Sequence, residues 1–411
     1  METVAILHYA GPPYVGGVEI TMAAHARVLA ANGYAVRMLT GKGDATGSSL
    51  TQVTIPELAS RGALLETIAR ELAQGQVSAT FEALVDQLST RLAEALLGVK
   101  ALIVHNVLSL HKNLAFTAAL HRLHHSGLLP PMLAWCHDFA WLDPLYMSDL
   151  HPGYPWDLLR QPWPGVRYVV VSEDRRGMLA GLLGLDPAEV TVVTPGVDLA
   201  AMLHLGPTTM DLVDRLGLLN ANPLLLLPAR ITRRKNIELA ITLTGSLQAY
   251  GYAPHLVITG PPGPHNPANA AYLAELFAVR EASGANVAFL YEAYTDAAGQ
   301  PLPVSDAMVA DLFRLADGLL FPSRYEGFGI PILEAGLVNL PIFCSDIPPL
   351  RATAGNAATY FQLDEPPDQI ARRMASVFAA DPRTALKQRV RTHYTWEAIF
   401  HREIAPLLAD G

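Results

Sequence analysis

Glu326 and Glu334 stand eight positions apart in FPSRYEGFGIPILEAG, residues 321–336, with Gly327, Gly329 and Pro331 between them. Proline suits the first turn of a helix, where its missing N–H would find no partner in any case. A helix is therefore expected to start at Gly329 or Ile330. Its free amides and the positive end of its dipole favour an anion, and the glycines let a diphosphate approach the backbone. The two carboxylates can accept hydrogen bonds from one ligand, sugar hydroxyls at one and ribose hydroxyls at the other. A second run, LLLLPARITRRKNIELAI at residues 224–241, sets Arg230 and Lys235 five positions apart just after an apolar segment. Fixed cations beside a departing diphosphate stabilise the charge that grows as its bond breaks. Arg233 and Arg234 in the same run read as solvated charges.

The N-terminal half adds a glycine turn and a histidine. In AILHYAGPPYVGGVEITMAAHARVLAANGYAV, residues 5–36, Gly16 and Gly17 separate a short apolar run from an amphipathic stretch and would let backbone approach phosphates or an acceptor. Their spacing is not that of the dinucleotide-binding GxGxxG fingerprint. Glu19 either contributes to that turn or favours the first turn of the helix. CHDFAWLDP, residues 136–144, offers His137 at the end of another apolar run, and Ser172 in VSEDRRGML reads as a helix N-cap. His121 and His125 lie one helical turn apart, but no HExxH glutamate and no third ligand accompany them, so a zinc site is not expected. No DxD pair stands at a strand end, and no metal is assigned.

These residues need elements to hold them, and short apolar runs alternate with longer amphipathic stretches throughout. That rhythm predicts parallel sheets wrapped by helices, an α/β chain. Strands are expected at Val4–Tyr9, Ala35–Leu39, Ala101–His105, Met132–Cys136, Tyr168–Val171 and Val190–Val193 in the first half. In the second they are expected at Leu224–Leu227, His255–Thr259, Val287–Leu290, Gly318–Phe321, Pro341–Cys344 and Ala358–Phe361. Residues 64–99 should form two helices broken near Gln74–Gln76, and Asn236–Leu247 and Pro366–Phe378 one each. The pattern lapses at Thr194–Pro207, which places a hinge there, and GPPGPHNP at residues 260–267 reads as a proline-rich loop. Every chemically distinctive run follows an expected strand, where ligands of open parallel sheets bind.

Composition narrows the functions. Of 411 residues, 51% are hydrophobic and 16% charged, enough for buried cores and against a disordered chain. Residues 1–200 carry 13 basic and 18 acidic side chains and the remainder 16 and 20, so neither half is basic enough to follow nucleic acid. Two cysteines, Cys136 and Cys344, give no disulfide framework. No run approaches the roughly 18 to 20 apolar residues of a membrane span. METVAILHYAGPP reads as a first strand rather than a signal peptide, so the cytoplasm is expected.

EGFGIPILE, preceded by LLFPSRY, closely resembles the signature of the retaining glycosyltransferases of the GT-B fold, in particular the large family 4. Arg230 and Lys235 match that family's cation pair, and Gly16 and Gly17 its GGxE-like turn. The resemblance implies that Glu326 contacts the donor sugar, Glu334 the ribose, Arg230 and Lys235 the diphosphate, and His137 the sugar near its O6. Donor contact would extend to Gly327, Phe328, Gly329, Ile332, Leu333 and Gly260. The implied architecture is two Rossmann-like, doubly wound parallel-sheet domains facing across a cleft, an acceptor-side domain at 1–200 and a donor-side domain at 201–394. A closing helix at 395–411 would return to the first domain, with Trp396 as anchor. The hinge departs from the family: Thr194-Pro195-Gly196-Val197-Asp198 replaces its Pro-Asn-Gly-Val-Asp and lacks the asparagine. The resemblance spans nearly the whole chain and is specific over about residues 220–340.

The implied reaction moves a hexose from a UDP-, GDP- or ADP-sugar to a hydroxyl acceptor with retention, without metal and without another cofactor. No polybasic amphipathic segment marks the N-terminal half, which favours a soluble acceptor over a membrane lipid. A nucleotide-sugar epimerase of the same fold and a non-catalytic sugar-nucleotide or glycan-binding protein remain alternatives.

Overall fold

A computed structural model describes residues 1–44, 47, 49–263 and 268–409, so the far end of the proline-rich run, residues 264–267, lies outside it. The chain forms two compact units, Met1–Gly196 together with Trp396–Gly411, and Val197–Thr395. Each contains one parallel sheet covered by helices on both faces.

The first unit holds β1 Thr3–His8, β2 Ala35–Thr40, β3 Leu50–Thr54, β4 Ala101–His105, β5 Met132–Cys136, β6 Arg167–Val170 and β7 Val190–Val192. Their order is β3-β2-β1-β4-β5-β6-β7, all parallel. Alternate residues of β1 point to opposite faces. Ala5 and Leu7 join a core with Phe81, Leu88, Val104 and Phe116, and Val4 and Ile6 join one with Met22, Leu29, Met38 and Trp135. The second of these cores also takes Ile399, Phe400 and Ile404 from the end of the chain. Full burial of an aliphatic or aromatic side chain stabilises by roughly 1.5–3 kcal/mol, so both faces contribute.

The second unit holds β8 Leu224–Leu227, β9 His255–Ile258, β10 Asn286–Phe289, β11 Gly318–Phe321, β12 Ile342–Ser345 and β13 Thr359–Phe361. They run parallel in the order β10-β9-β8-β11-β12-β13. The four leucines of β8 divide by alternation, Leu225 and Leu227 into one core and Leu224 and Leu226 into the other, as expected of a strand buried on both faces. Arg391 is buried beneath this sheet. It donates to Asp317 at 2.7 and 3.0 Å and to the carbonyls of Leu219, Leu315 and Ala221, while Asp317 also accepts the Leu224 amide at 2.7 Å. A buried arginine is held only when its donors are satisfied in this way, and the helix Pro382–His393 is pinned to the sheet by it.

The expectation of an α/β chain with two doubly wound parallel sheets is met, and twelve of the thirteen strands among the described residues lie within a residue or so of the segments read from sequence. The exception is β3. LTQVT has three polar residues of five and sits at the sheet edge with no residue fully buried, so it lacks the apolar run that marks a central strand. The helices Ala63–Ala73 and Ala79–Ala95 break where the glycine suggested, and Ser172 caps the helix Glu173–Leu183 by accepting the Arg175 amide at 3.2 Å. The unit boundary falls at Gly196, inside the Thr194–Pro207 segment.

Strand order reverses between β1 and β4 in one sheet and between β8 and β11 in the other. Loops diverge at such points and leave room for a ligand beyond the carboxyl ends of the strands.

Candidate active site

In the second unit the loops after β8 and β11 bring the charged residues together. The chain leaving β8 is zipped to the loop after β9. Gly260 donates to the Ala229 carbonyl at 3.1 Å, Ile231 to the Pro261 carbonyl at 3.0 Å, and Gly263 to the Ile231 carbonyl at 3.2 Å. A Cβ on Gly260 would lie 2.4 Å from the Ala229 oxygen and 2.6 Å from the Arg230 Cα, so only glycine allows this approach. A short turn, Arg233–Lys235, follows, and Asn236 in the left-handed region, φ 52, leads into the helix Ile237–Leu247. Asparagine tolerates that conformation better than most residues.

Lys235 is buried, with its ammonium bonded to Glu326 Oε1 and lying 4.6 Å from the centroid of the Phe321 ring. Burial pulls its pKa below the ordinary value, and the hydrogen bond it donates to Glu326 opposes that shift. Glu326 is also buried, and its second oxygen accepts from Arg234 at 3.2 Å. Arg324 ties the two loops: its amide donates to the Arg234 carbonyl at 2.7 Å and its guanidinium to Asn236 Oδ1 at 2.8 Å.

Between Glu326 and the helix Ile330–Leu337 the backbone leaves its amides unpaired: none of the amides of residues 325–330 donates a hydrogen bond among the described residues. Two carbonyls of the same stretch are held, Tyr325 by Arg234 at 3.4 Å and Phe328 by the Thr353 hydroxyl at 2.6 Å. Gly329 makes the turn possible. It adopts φ 95, and a Cβ there would lie 2.6 Å from Leu350 Cδ2. A row of unpaired amides at a helix start is an anion-binding arrangement.

The other expected contacts fall as follows. Gly327 has open space around it, and Phe328, Leu333 and Glu334 are exposed. Partial desolvation of its carboxylate, with Asp306 nearby, raises the Glu334 pKa although the residue as a whole is exposed. The side chain of Ile332 is in the core, and its amide donates to the Gly329 carbonyl at 3.0 Å. Arg230 is exposed and makes no ion pair or hydrogen bond among the described residues.

Gly16, Gly17 and His137 belong to the first unit, beyond the carboxyl ends of β1 and β5. Gly16 is extended and precedes the helix Gly17–Ala31, and the amides of Val15, Gly16 and Gly17 donate no hydrogen bond among the described residues. Glu19 folds back over the turn, so that a Cβ on Gly16 would lie 2.3 Å from its Oε2, and its other oxygen is 3.9 Å from His8 Nε2. His137 is anchored through its amide, which donates to Asn106 Oδ1 at 2.7 Å, and through Nε2, which lies 3.1 Å from His105 Nδ1. Burial lowers the His137 pKa to about 4 against the opposing charge of Asp138, and burial likewise holds His105 well below its ordinary value.

Sequence reasoning found Lys235, Glu326 and the helix start, which the fold gathers at one sheet edge, and missed the residues that hold them. Arg234 contacts Glu326 although it was read as solvated, because its neighbour Arg233 is indeed an exposed partner of Glu275 and nothing in the run separates the two. Asn106 and Asn236 both have positive φ, at 58 and 52. An asparagine just after a strand or before a helix is the signal that could have marked them.

Residues 213–393 match the family model described as glycosyl transferases group 1. The chain is 32% identical over 189 residues to the D-inositol 3-phosphate glycosyltransferase of Kineococcus radiotolerans, covering 45% of this chain and 40% of that one. The enzyme of the same name from Mycolicibacterium gilvum is 29% identical over 225 residues, 53% of this chain and 46% of its own length. The chain thus spans less than half the length of these curated relatives. A solved sucrose-phosphate synthase from Thermosynechococcus elongatus aligns over 100% of both chains at 17% identity with a TM-score of 0.40. Arg230, Lys235, Glu326 and Glu334 all fall within residues 213–393, so the segment that is similar to the group 1 glycosyl transferases is the one that carries these residues.

Proposed function

We propose that the chain moves a hexose from a nucleotide-diphosphate sugar to a hydroxyl acceptor, with retention at the anomeric carbon and without a metal ion. The observation that carries this reading is the row of free amides at residues 325–330 beside the buried Lys235. A diphosphate seated on those amides competes with Glu326 for Lys235. Once Lys235 turns to the phosphate, the Glu326 carboxylate is released to accept hydrogen bonds from sugar hydroxyls. Arg230, exposed and without an ion-pair partner among the described residues, closes on the same phosphates, and Glu334 takes the ribose hydroxyls. Gly260 and the exposed Phe328 and Leu333 border the nucleotide.

No carboxylate is assigned as a covalent nucleophile, so the acceptor oxygen attacks from the face the diphosphate leaves, and a leaving phosphate oxygen takes the acceptor proton. Amides and cations stabilise the departing charge more than the bound ground state. His137 bonds a sugar hydroxyl, and the Gly16–Gly17 turn approaches phosphate or acceptor. No described helix is long and apolar enough to cross a membrane. Both cysteines are free and buried, which suits a reducing compartment, and we assign the chain to the cytoplasm with a soluble acceptor. The names of its relatives make a mannosyl donor and an inositol phosphate acceptor early choices.

Incubation with UDP-, GDP- and ADP-sugars, with and without acceptors, tests the reading. Nucleotide release should depend on acceptor, give a product of retained configuration and survive chelation of metal ions. Lys235→Met and Glu326→Gln should each lower turnover by about 10²-fold or more, the effect of losing a group that stabilises transition-state charge. Near-normal turnover in both variants, or an altered sugar nucleotide released without acceptor, would overturn the proposal.

A further inference from the structure

We propose that His105 is a positioning residue that locks the ring of His137 into the tautomer protonated on Nδ1, so that His137 offers a ligand a hydrogen-bond donor rather than an acceptor. The consequence for sugar binding rests on the role given to His137 above, whereas the tautomer itself rests only on the geometry of the first unit.

His105 ends β4 and is fully buried. Its ring lies beside His25 and Trp135, with centroids 5.3 and 5.8 Å away, and stacks on His137 at 5.4 Å. Its Nδ1 is 3.1 Å from His137 Nε2, and its Nε2 is buried without any partner among the described residues. Neither nitrogen of His25 bonds to it, for both of those are also buried and unpartnered. The charged groups around the cluster are few. Asp138 follows His137 and faces Arg175 at 3.9 Å, and Glu19 faces His8.

Burial keeps both rings neutral near neutral pH, and a neutral imidazole has one N–H and one acceptor nitrogen. A proton on His105 Nε2 would leave a buried N–H unbonded, at a cost of about 1–3 kcal/mol. A proton on Nδ1 donates to His137 Nε2 and leaves only a lone pair without a partner. Orphaned N–H groups are rarer in proteins than undersatisfied acceptors, so the second arrangement wins. His137 Nε2 is then an acceptor, and its own proton must sit on Nδ1. That atom makes no hydrogen bond among the described residues. The ring is held in place from both ends, because the His137 amide is fixed by Asn106 and the His105 carbonyl accepts from His8 Nδ1 at 2.8 Å.

The experiment uses the full chain with ¹⁵N-labelled histidine, the His137 signals being assigned from a His137→Gln sample. Near neutral pH the ring should show a protonated Nδ1 and an unprotonated Nε2, and the reverse pattern overturns the proposal. His105→Asn places a side-chain amide donor near the position of Nδ1 and should keep the pattern, whereas His105→Leu should give mixed tautomers. With UDP-glucose and GDP-mannose as probes, His105→Leu should lower kcat by about tenfold, the effect of one hydrogen bond, and His105→Asn should restore most of it. Equal losses in two folded variants would also overturn the assignment. If the parent chain turns over neither probe, the proposed function is what fails, and the ring signals still decide the tautomer.

Discussion

Lys235 and Glu326 hold one another, and under the proposed function each is also needed by a ligand, so the pairing governs how variants behave. Removing one partner of a buried ion pair leaves the other charge uncompensated and costs about 3–5 kcal/mol, whereas replacing both with neutral groups of similar size is far less harmful. Lys235→Ala is therefore expected to lower the melting temperature as well as the turnover. The double variant Lys235→Met/Glu326→Gln should recover most of the stability and none of the activity. Thermal melts of the two, read beside nucleotide release, check this, and a double variant as unstable as the single one contradicts it. A second residue-scale prediction concerns His25, whose pKa burial lowers to about 3. Its two nitrogens are unpartnered and its ring packs against His105, Trp135 and Trp396. Its folded pKa lies below its unfolded value of 6.5, so below that pH the unfolded chain binds a proton that the folded chain refuses. Stability should fall as pH drops through the window from 6.5 toward about 3. His137 and His255, both held near 4 by burial, act in the same direction. His25→Phe removes one such site and should lose less melting temperature than the parent between about pH 7.5 and pH 5. An identical loss in the two proteins would count against it. At this scale spacing marked Lys235 and Glu326, which the fold brings into contact, whereas Arg230 and Glu334 stand exposed. The sequence was silent on the contact of Arg324 with Asn236 in the second unit and, in the first, on Asn106 and His105, which hold His137.

Among the elements, the loop between β11 and the helix Ile330–Leu337 depends on one backbone conformation. Gly329→Ala forces a side chain into the left-handed region at φ 95 and toward Leu350, a strain of about 1–3 kcal/mol. The cheapest relief is to rotate the loop, which redirects the amides of residues 325–330. The variant should lose stability and bind UDP, GDP or ADP at least severalfold more weakly by calorimetry, while Gly327→Ala, set in open space, should change stability little. Equal effects of the two alanines would show that the turn at Gly329 is not what orients the amides. The elements themselves were largely readable because buried parallel strands are continuous apolar runs. LLLL for β8 and GLLF for β11 are plain examples. β3 was not, since the neighbouring strand rather than its own composition makes it a strand.

On the scale of the whole molecule, the last segment of the chain belongs to the first unit. Trp396 packs edge-on against His25 at 5.3 Å, and a Cβ on Gly196 would lie 2.8 Å from its ring. Trp396→Ala should destabilise the unit Met1–Gly196 by about 3–5 kcal/mol, as large-to-small changes at buried aromatics do. Hydrogen exchange should quicken in peptides from that unit and not in peptides from Val197–Thr395, and a uniform change across both would contradict the assignment. Residues 213–393 announce themselves by motif, whereas the return of Ile399, Phe400 and Ile404 to the first sheet, expected from the resemblance alone, rests on ordinary apolar contacts. That pairing has a consequence for biosynthesis. Ile399, Phe400 and Ile404 complete an apolar layer begun by Val4 and Ile6, yet at about 5–20 residues per second the ribosome needs roughly twenty to eighty seconds to make the stretch in between. The half begun first is finished last, and during that interval its unfinished face is open to chaperones or to a neighbouring nascent chain.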